Sequence, residues 1–312
     1  NQQNLKKPNF LNPCPAYTPG RELTESCQSE YQEYSKPSFD PALHINSSKS
    51  WLTVKLYYCN YSKYDVRTGR YSSLINARGQ YGIGLQAVGC NFVENTMTVL
   101  NTGVFYFTEG PHEVDIQKCL FKSNQGADAT IIGGTLFTLN IADCDIYQNT
   151  ANSRFGQIYL SGRTSGNDQP SFTCQNVIFY NNRNWPTLNQ QNIALLTNFK
   201  TVYFSNCSFT VENRESTSMV GLKGTGTSIT FTDCCFYIDY NYYWNYYHVK
   251  FETSATGTLQ FRGTNSFSGA ETYAYNKNCV RADTMVFNIE KCINNLDPTT
   301  PITSDPTVPV TS

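Results

Sequence analysis

At 312 residues the chain has room for one large β or α/β domain or two average ones, so length leaves the architecture open. Its 23 Lys+Arg balance 24 Asp+Glu, and no lysine- or arginine-rich run occurs, which excludes the electrostatic footprint of a nucleic-acid or anionic-membrane binder. Charged residues are only 15% of the chain and aromatics 14%, so the expected surface is polar and uncharged over strand-forming residues.

The chain begins at Asn1 without Met or an apolar leader and is expected to be a mature or trimmed product. No apolar run reaches the roughly 18–20 residues that span a bilayer, so membrane attachment is expected only through an anchor outside this chain. Residues 1–50 read as a Pro-rich leader and N-terminal cap, in which Cys14 and Cys27 are expected to form a disulfide. The twelve cysteines and the sequons at Asn46, Asn60 and Asn206 point to the secretory pathway and to three glycosylation sites.

From residue 51 to 295 one sentence repeats. "VDIQKCLFKSN" (Val114–Asn124) and "LNIADCDIYQN" (Leu139–Asn149) both read apolar, any, apolar, any, any, Cys, any, apolar, any, any, Asn. Further copies begin at Val54, Leu85, Phe172, Val202, Ile229, Leu259 and Phe287, so successive starts lie 31, 29, 25, 33, 30, 27, 30 and 28 residues apart. Apolar, any, apolar is a short strand with one buried face, because side chains alternate faces at every residue. The next two residues break that alternation, as a corner must, and Cys-x-apolar opens a second strand. The Asn suits a further turn, since Asn tolerates left-handed backbone. A third strand is expected at Ile158 and Leu160, Ile193 and Leu195, Val220 and Leu222, and Val249 and Phe251.

Three short strands and three corners per repeat make one coil of a parallel β-helix. The expected fold is all-β: a right-handed, single-stranded parallel β-helix of about nine coils, on the order of 40 Å long. A leucine-rich repeat would show helical returns, and a β-sandwich would lack a register-locked Cys column. Residues 296–312 are Pro/Thr/Ser-rich and read as a disordered stalk or linker.

"FVEN" (Phe92–Asn95), "FKSN" (Phe121–Asn124) and "GGTL" (Gly133–Leu136) resemble the FxxN and GGAI repeats of chlamydial polymorphic outer-membrane proteins and of similar trichomonad surface proteins. That resemblance covers roughly residues 50 to 295 and implies a right-handed β-helical passenger domain displayed at a cell surface for adhesion. The chain departs from the pattern where Glu212 and Asp239 replace the turn Asn, and no translocator barrel is expected within these 312 residues.

Cys59, Cys90, Cys119, Cys144, Cys207, Cys234 and Cys292 share one inward slot, with Cys174 in a neighbouring one. Buried thiols act as small hydrophobes, so an inward packing column is expected. Neighbouring coils also bring Cα atoms close enough for disulfides, which leaves bridging open. Cys235 points outward and is a candidate partner for Cys279. No Cys-x-x-Cys pair occurs, and His44, His112 and His248 are scattered, so neither metal nor cofactor is expected.

Asp143 and Asp145 flank Cys144, with Lys118 one coil earlier, the best arrangement for acid–base chemistry. Acids do not accumulate over adjacent coils, however, so a solvated turn is the expected role. "GLKGTG" (Gly221–Gly226) lacks phosphate-loop spacing and reads as a corner. The corner "YIDYNYYWNYYHV" (Tyr237–Val249) crowds Tyr240, Tyr242, Tyr243, Trp244, Tyr246 and Tyr247, the composition of a recognition surface. The expected function is adhesion or a structural coat role in a cell-surface glycoprotein that meets glycans, surface proteins or its own copies. The alternative is a carbohydrate-active enzyme, a polysaccharide lyase or glycoside hydrolase, on the same scaffold.

Overall fold

A computed structural model of the chain describes residues 22–26, 43–47, 49–66, 73–97, 103–127, 129–152, 156–164, 168–180, 182–184, 191–211, 218–238, 247–251, 256–267 and 280–281. All regular elements among them are strands, and every strand pairing is parallel. The protein is a parallel β-helix.

The coils run through four sheets, of which the first two and the last recur in most coils and the third in five. The first sheet has ten strands, from Glu22–Ser26 to Val280–Arg281, and holds the apolar, any, apolar segments. The second holds eight strands, from Asn60–Ser62 to Ser266–Phe267, each entered from the Cys slot. A third sheet of five two-residue strands, Asp65–Val66 through Arg183–Asn184, was not anticipated. Two residues are too few to show an alternation, so the sequence carries no period there to read. The fourth sheet has eight strands, from Leu43–Asn46 to Tyr247–Phe251, and contains the strand expected to be the third. The copy that begins at Phe287, including Cys292, lies outside the described residues.

The template's first copies pair without slippage: Val54 with Leu85, Val114 with Leu139, and Phe172 with Val202. Their inward residues are fully or nearly fully buried, as strict alternation requires. One expected register differs. Ile158 and Leu160 pair with Ala194 and Leu196, not with Ile193 and Leu195, because a bulge falls between Gln191 and Ala194. In a run of Ile-Ala-Leu-Leu either frame looks apolar, so hydrophobicity cannot select the register.

Rings fill the second sheet's core column. Tyr61, Phe92 and Phe121 stack with centroids 5.4 and 5.0 Å apart, and Phe179, Phe209, Phe236 and Phe267 stack at 5.3, 4.9 and 4.8 Å. Ile146 stands between the two runs, paired with Phe121 and Phe179. One coil per 4.8 Å matches offset ring stacking, so the backbone spacing itself positions these contacts.

The corners carry the strain. The residue before the Cys slot is left-handed in coil after coil: Tyr58, Lys118, Asp143, Asn176, Asn206 and Asp233 all have φ between 50° and 55°, and Gly89 has 66°. A non-glycine residue there costs about 1–2 kcal/mol. That cost is offset because each left-handed N–H donates to a carbonyl of the next coil, as from Tyr58 to Val88 (2.9 Å) and from Asn206 to Thr232 (2.9 Å). Within "GGTL", Gly134 has φ 114°, and a Cβ there would meet the Phe107 carbonyl. Only glycine fits that approach.

Candidate functional site

The repeat's polar signature residues point inward. Asn95, Asn124, Asn149 and Asn182 are buried and do not adopt the left-handed backbone expected of them. The preceding residues do instead: Glu94, Ser123 and Gln148 have φ of 56°, 54° and 53°. The asparagine side chain thereby turns into the corner and bonds along the stack. Asn124 Oδ1 accepts the backbone N–H of Asn95 (3.1 Å) and its Nδ2 (2.9 Å), while Asn124 Nδ2 donates to Phe92 O (2.8 Å). Asn149 repeats the set towards Asn124 and Phe121, and Asn182 towards Asn149 and Ile146.

The cysteines do comparable work at the other corner. Cys59, Cys90, Cys119, Cys144, Cys174, Cys207 and Cys234 are buried free thiols. Cys90 Sγ accepts the N–H of Cys59 (3.4 Å), Cys119 Sγ that of Cys90 (3.4 Å), and Cys144 Sγ that of Cys119 (3.4 Å). Cys59, Cys90, Cys119 and Cys144 in turn donate to nearby carbonyls, as Cys144 does to Ala142 (3.1 Å). Val177 occupies the slot in the next coil, between Ile146's neighbour Cys144 and Cys207. There Cys207 Sγ turns to Cys174, 3.4 Å from its carbonyl and 3.7 Å from its sulfur.

At the last described coil an asparagine takes the thiol's place. Asn265 Oδ1 accepts the N–H of Cys234 (2.9 Å), and its Nδ2 donates to Arg262 O (2.8 Å). The repeat pattern aligned Thr264 with this slot, but Thr264 is exposed and Asn265 is buried. One extra residue at the Gly263 corner accounts for the shift. Cys and Asn in this column both accept and donate, whereas Val177 fills the same slot by packing alone.

Burial and these contacts make the thiols poor nucleophiles. The hydrogen bond donated to Cys119 pushes the Cys90 thiol up to about 12, and that donated to Cys144 likewise raises Cys119. Desolvation raises Cys207 and Cys234 well above the ordinary thiol range. Cys235 behaves differently: it is disulfide-bonded, and it is buried. Since the other described cysteines are free, its partner lies outside the described residues, as do Cys14, Cys27 and Cys279.

No convergent acid–base group forms around Asp143 and Asp145. Asp143 is exposed and accepts from Asn176 Nδ2 (2.8 Å), and Asn176 Oδ1 accepts from Asn206 Nδ2 (2.9 Å). Asp145 is half-buried, and desolvation raises its carboxyl against the opposing bond from Tyr147. Among the described residues no group of three or more His, Cys, Asp or Glu is arranged to hold a metal ion.

Compared with known protein families, characterised proteins and solved structures, the chain finds no match. Its outer surface must speak for itself.

Asn46 and Asn206 are exposed and Asn60 is half-buried, so the sequon side chains all lie on the outside of the coils. The outward face of the first sheet carries a bonded polar row: Tyr57 OH donates to Gln86 Oε1 (2.9 Å), and Gln86 and Gln117 both donate to Asp115 Oδ2 (3.3 and 2.8 Å). A charged group missed by the repeat analysis lies between the fourth and first sheets. Arg78 pairs with Glu109, the Arg163 guanidinium donates to the Glu109 carbonyl, and His112 is buried beside them with Nε2 2.8 Å from Thr108 O. These residues occupy different template positions, so no column of the repeat announces them. Tyr247 is half-buried in the last fourth-sheet strand, while Tyr240, Tyr242, Tyr243, Trp244 and Tyr246 lie outside the described residues.

Proposed function

We propose that the chain is an extracellular, cell-surface β-helical glycoprotein with an adhesion or structural coat role, without catalysis of its own. The observation that carries this reading is the outward placement of Asn46, Asn60 and Asn206 on a rod whose exterior is polar and nearly neutral. N-linked glycosylation needs exposed sequons in a chain that enters the secretory pathway. Kinship with the FxxN-repeat surface proteins belongs to the same proposal, as does a Cys235–Cys279 bridge. Glycans, surface proteins or further copies of the chain are the partners, and the Tyr240–Tyr247 corner is a contact surface for them.

Glycopeptide mass spectrometry of protein from its native host tests the first part: occupied Asn46, Asn60 and Asn206 support it, and three bare sequons refute it. A cell-attachment assay with Tyr242, Tyr243, Trp244 and Tyr246 replaced by Ser tests the second. Attachment lost with the melting temperature unchanged supports the contact surface. Attachment retained places adhesion elsewhere on the rod.

A further inference from the structure

Among the described residues three aromatic side chains stand exposed around the outward face of the first sheet near the rod's N-terminal end: Trp51 (38% exposed), Tyr58 (67%) and Tyr81 (49%). Trp51 and Tyr58 bracket the strand Leu52–Tyr57, and Tyr81 precedes the strand Ile83–Val88 paired with it. Rings this large are normally tucked away, so what holds them open is informative.

The backbone beneath them is bare. A Cβ at Gly82 would come within 2.5 Å of Trp51 Cζ3, and one at Gly84 within 3.2 Å of its Cζ2. The six-membered ring of the indole is therefore seated against both glycines, and more than a third of the residue still faces solvent. Tyr58 repeats the arrangement at the far end of the strand, where a Cβ at Gly89 would come within 2.6 Å of its Cδ1. Gly84 does not need its glycine for backbone reasons, since its φ lies outside the left-handed region. Its missing side chain makes room for the ring.

Between the rings runs the bonded polar row of Tyr57, Gln86 and Asp115, with Lys55 beside Gln86 in register. Trp51 and Tyr57 are six residues apart on an extended strand, so the face is roughly 20 Å long. Flat rings at its ends, with amides, a hydroxyl and a carboxylate between, match the two sides of a pyranose: C–H groups for the rings, hydroxyls for the row. Lys55 stands against Asp115 and exposed Glu113, so the face carries no excess of positive charge to favour an acidic chain.

We propose that the outward face of the strands Leu52–Tyr57, Ile83–Val88 and Glu113–Gln117 is a binding site for a neutral glycan chain, with Trp51 and Tyr58 as stacking platforms and Gln86 and Asp115 as hydrogen-bonding groups. This deepens the adhesion reading by giving it a ligand class, and it places binding on a face distinct from the Tyr240–Tyr247 corner.

The full chain is titrated with hexasaccharides of β-1,4-linked glucose, mannose and N-acetylglucosamine and with an acidic galacturonate hexamer, by calorimetry and tryptophan fluorescence. At least one neutral hexamer binds the parent. Trp51→Ala weakens it about tenfold, since a stacked ring contributes about 0.5–1.5 kcal/mol beyond area burial. Gly84→Val, which lifts the indole while keeping it, weakens binding similarly, and circular dichroism of both variants matches the parent. The site is refuted if no neutral hexamer binds at about 1 mM, if both variants bind like the parent, or if the acidic hexamer binds best. Cell attachment that persists while every hexamer fails sinks this site and leaves the adhesion reading standing.

Discussion

Asn124 Oδ1 accepts two hydrogen bonds from Asn95, one from its backbone N–H at 3.1 Å and one from its Nδ2 at 2.9 Å, across 29 residues of sequence. Both residues are buried, and neither donor has water to turn to. An unpartnered buried polar group costs about 1–3 kcal/mol. Asn124→Ala is therefore expected to destabilise the rod by about 3 kcal/mol, because it strands the Asn95 donors and the Phe92 carbonyl together. Asn124→Asp should also destabilise, since it keeps the acceptor but loses the donor to Phe92 O. Urea denaturation checks both, and a midpoint within error of the parent in the alanine variant would show that the ladder contributes little.

The ring column offers a contrast in kind. Phe209 stacks on Phe179 and Phe236 and meets Phe204 and Phe231 edge-on. Truncating it leaves a cavity that stacked coils cannot close, so Phe209→Ala should cost about 3–5 kcal/mol, and Phe209→Leu under about 2. Equal losses from the two would mean that ring geometry, not volume, sets the stability.

The thiol column predicts chemical silence. Protonated, buried sulfurs do not attack alkylating agents, and Cys90 stays a thiol far above physiological pH. The seven free cysteines should resist iodoacetamide at pH 8 in the folded chain and react fully once it is unfolded without reductant. Peptides cross-linked between Cys119 and Cys144 would contradict the hydrogen-bonded arrangement. Substituting Cys119 by Ser should be milder than by Ala, because the hydroxyl still accepts and donates.

Acid should loosen the charged corner through His112. Burial lowers its affinity for a proton, the Thr108 carbonyl opposes that, Arg163 adds to the lowering, and Glu109 acts against it. Below pH about 6.5 the unfolded chain takes up a proton that the folded imidazole refuses. Stability is thus fully present above that pH and declines as pH falls beneath it. Melting curves between pH 7 and 5 should drop more steeply for the parent than for His112→Gln. Parallel curves would remove His112 from the account.

Alternation in "VDIQ" and "LNIA" was enough to place Val114, Ile116, Leu139 and Ile141 inside a stacked coil, because one face must be apolar wherever strands repeat around a core. The same logic located the Cys slot, since a residue recurring at fixed distance from buried positions is itself at a fixed place in the coil. What the sequence could not determine was what those polar and sulfur side chains bond to. Asn95 and Asn124 are 29 residues apart along the chain and become neighbours only through coil stacking. The register of Gln191–Thr197, the two-residue third sheet and the seating of Trp51 on Gly82 and Gly84 likewise depend on contacts between coils. Local pattern sets which way a side chain faces; only the stacked neighbour decides whether it finds a partner, a ring or open solvent.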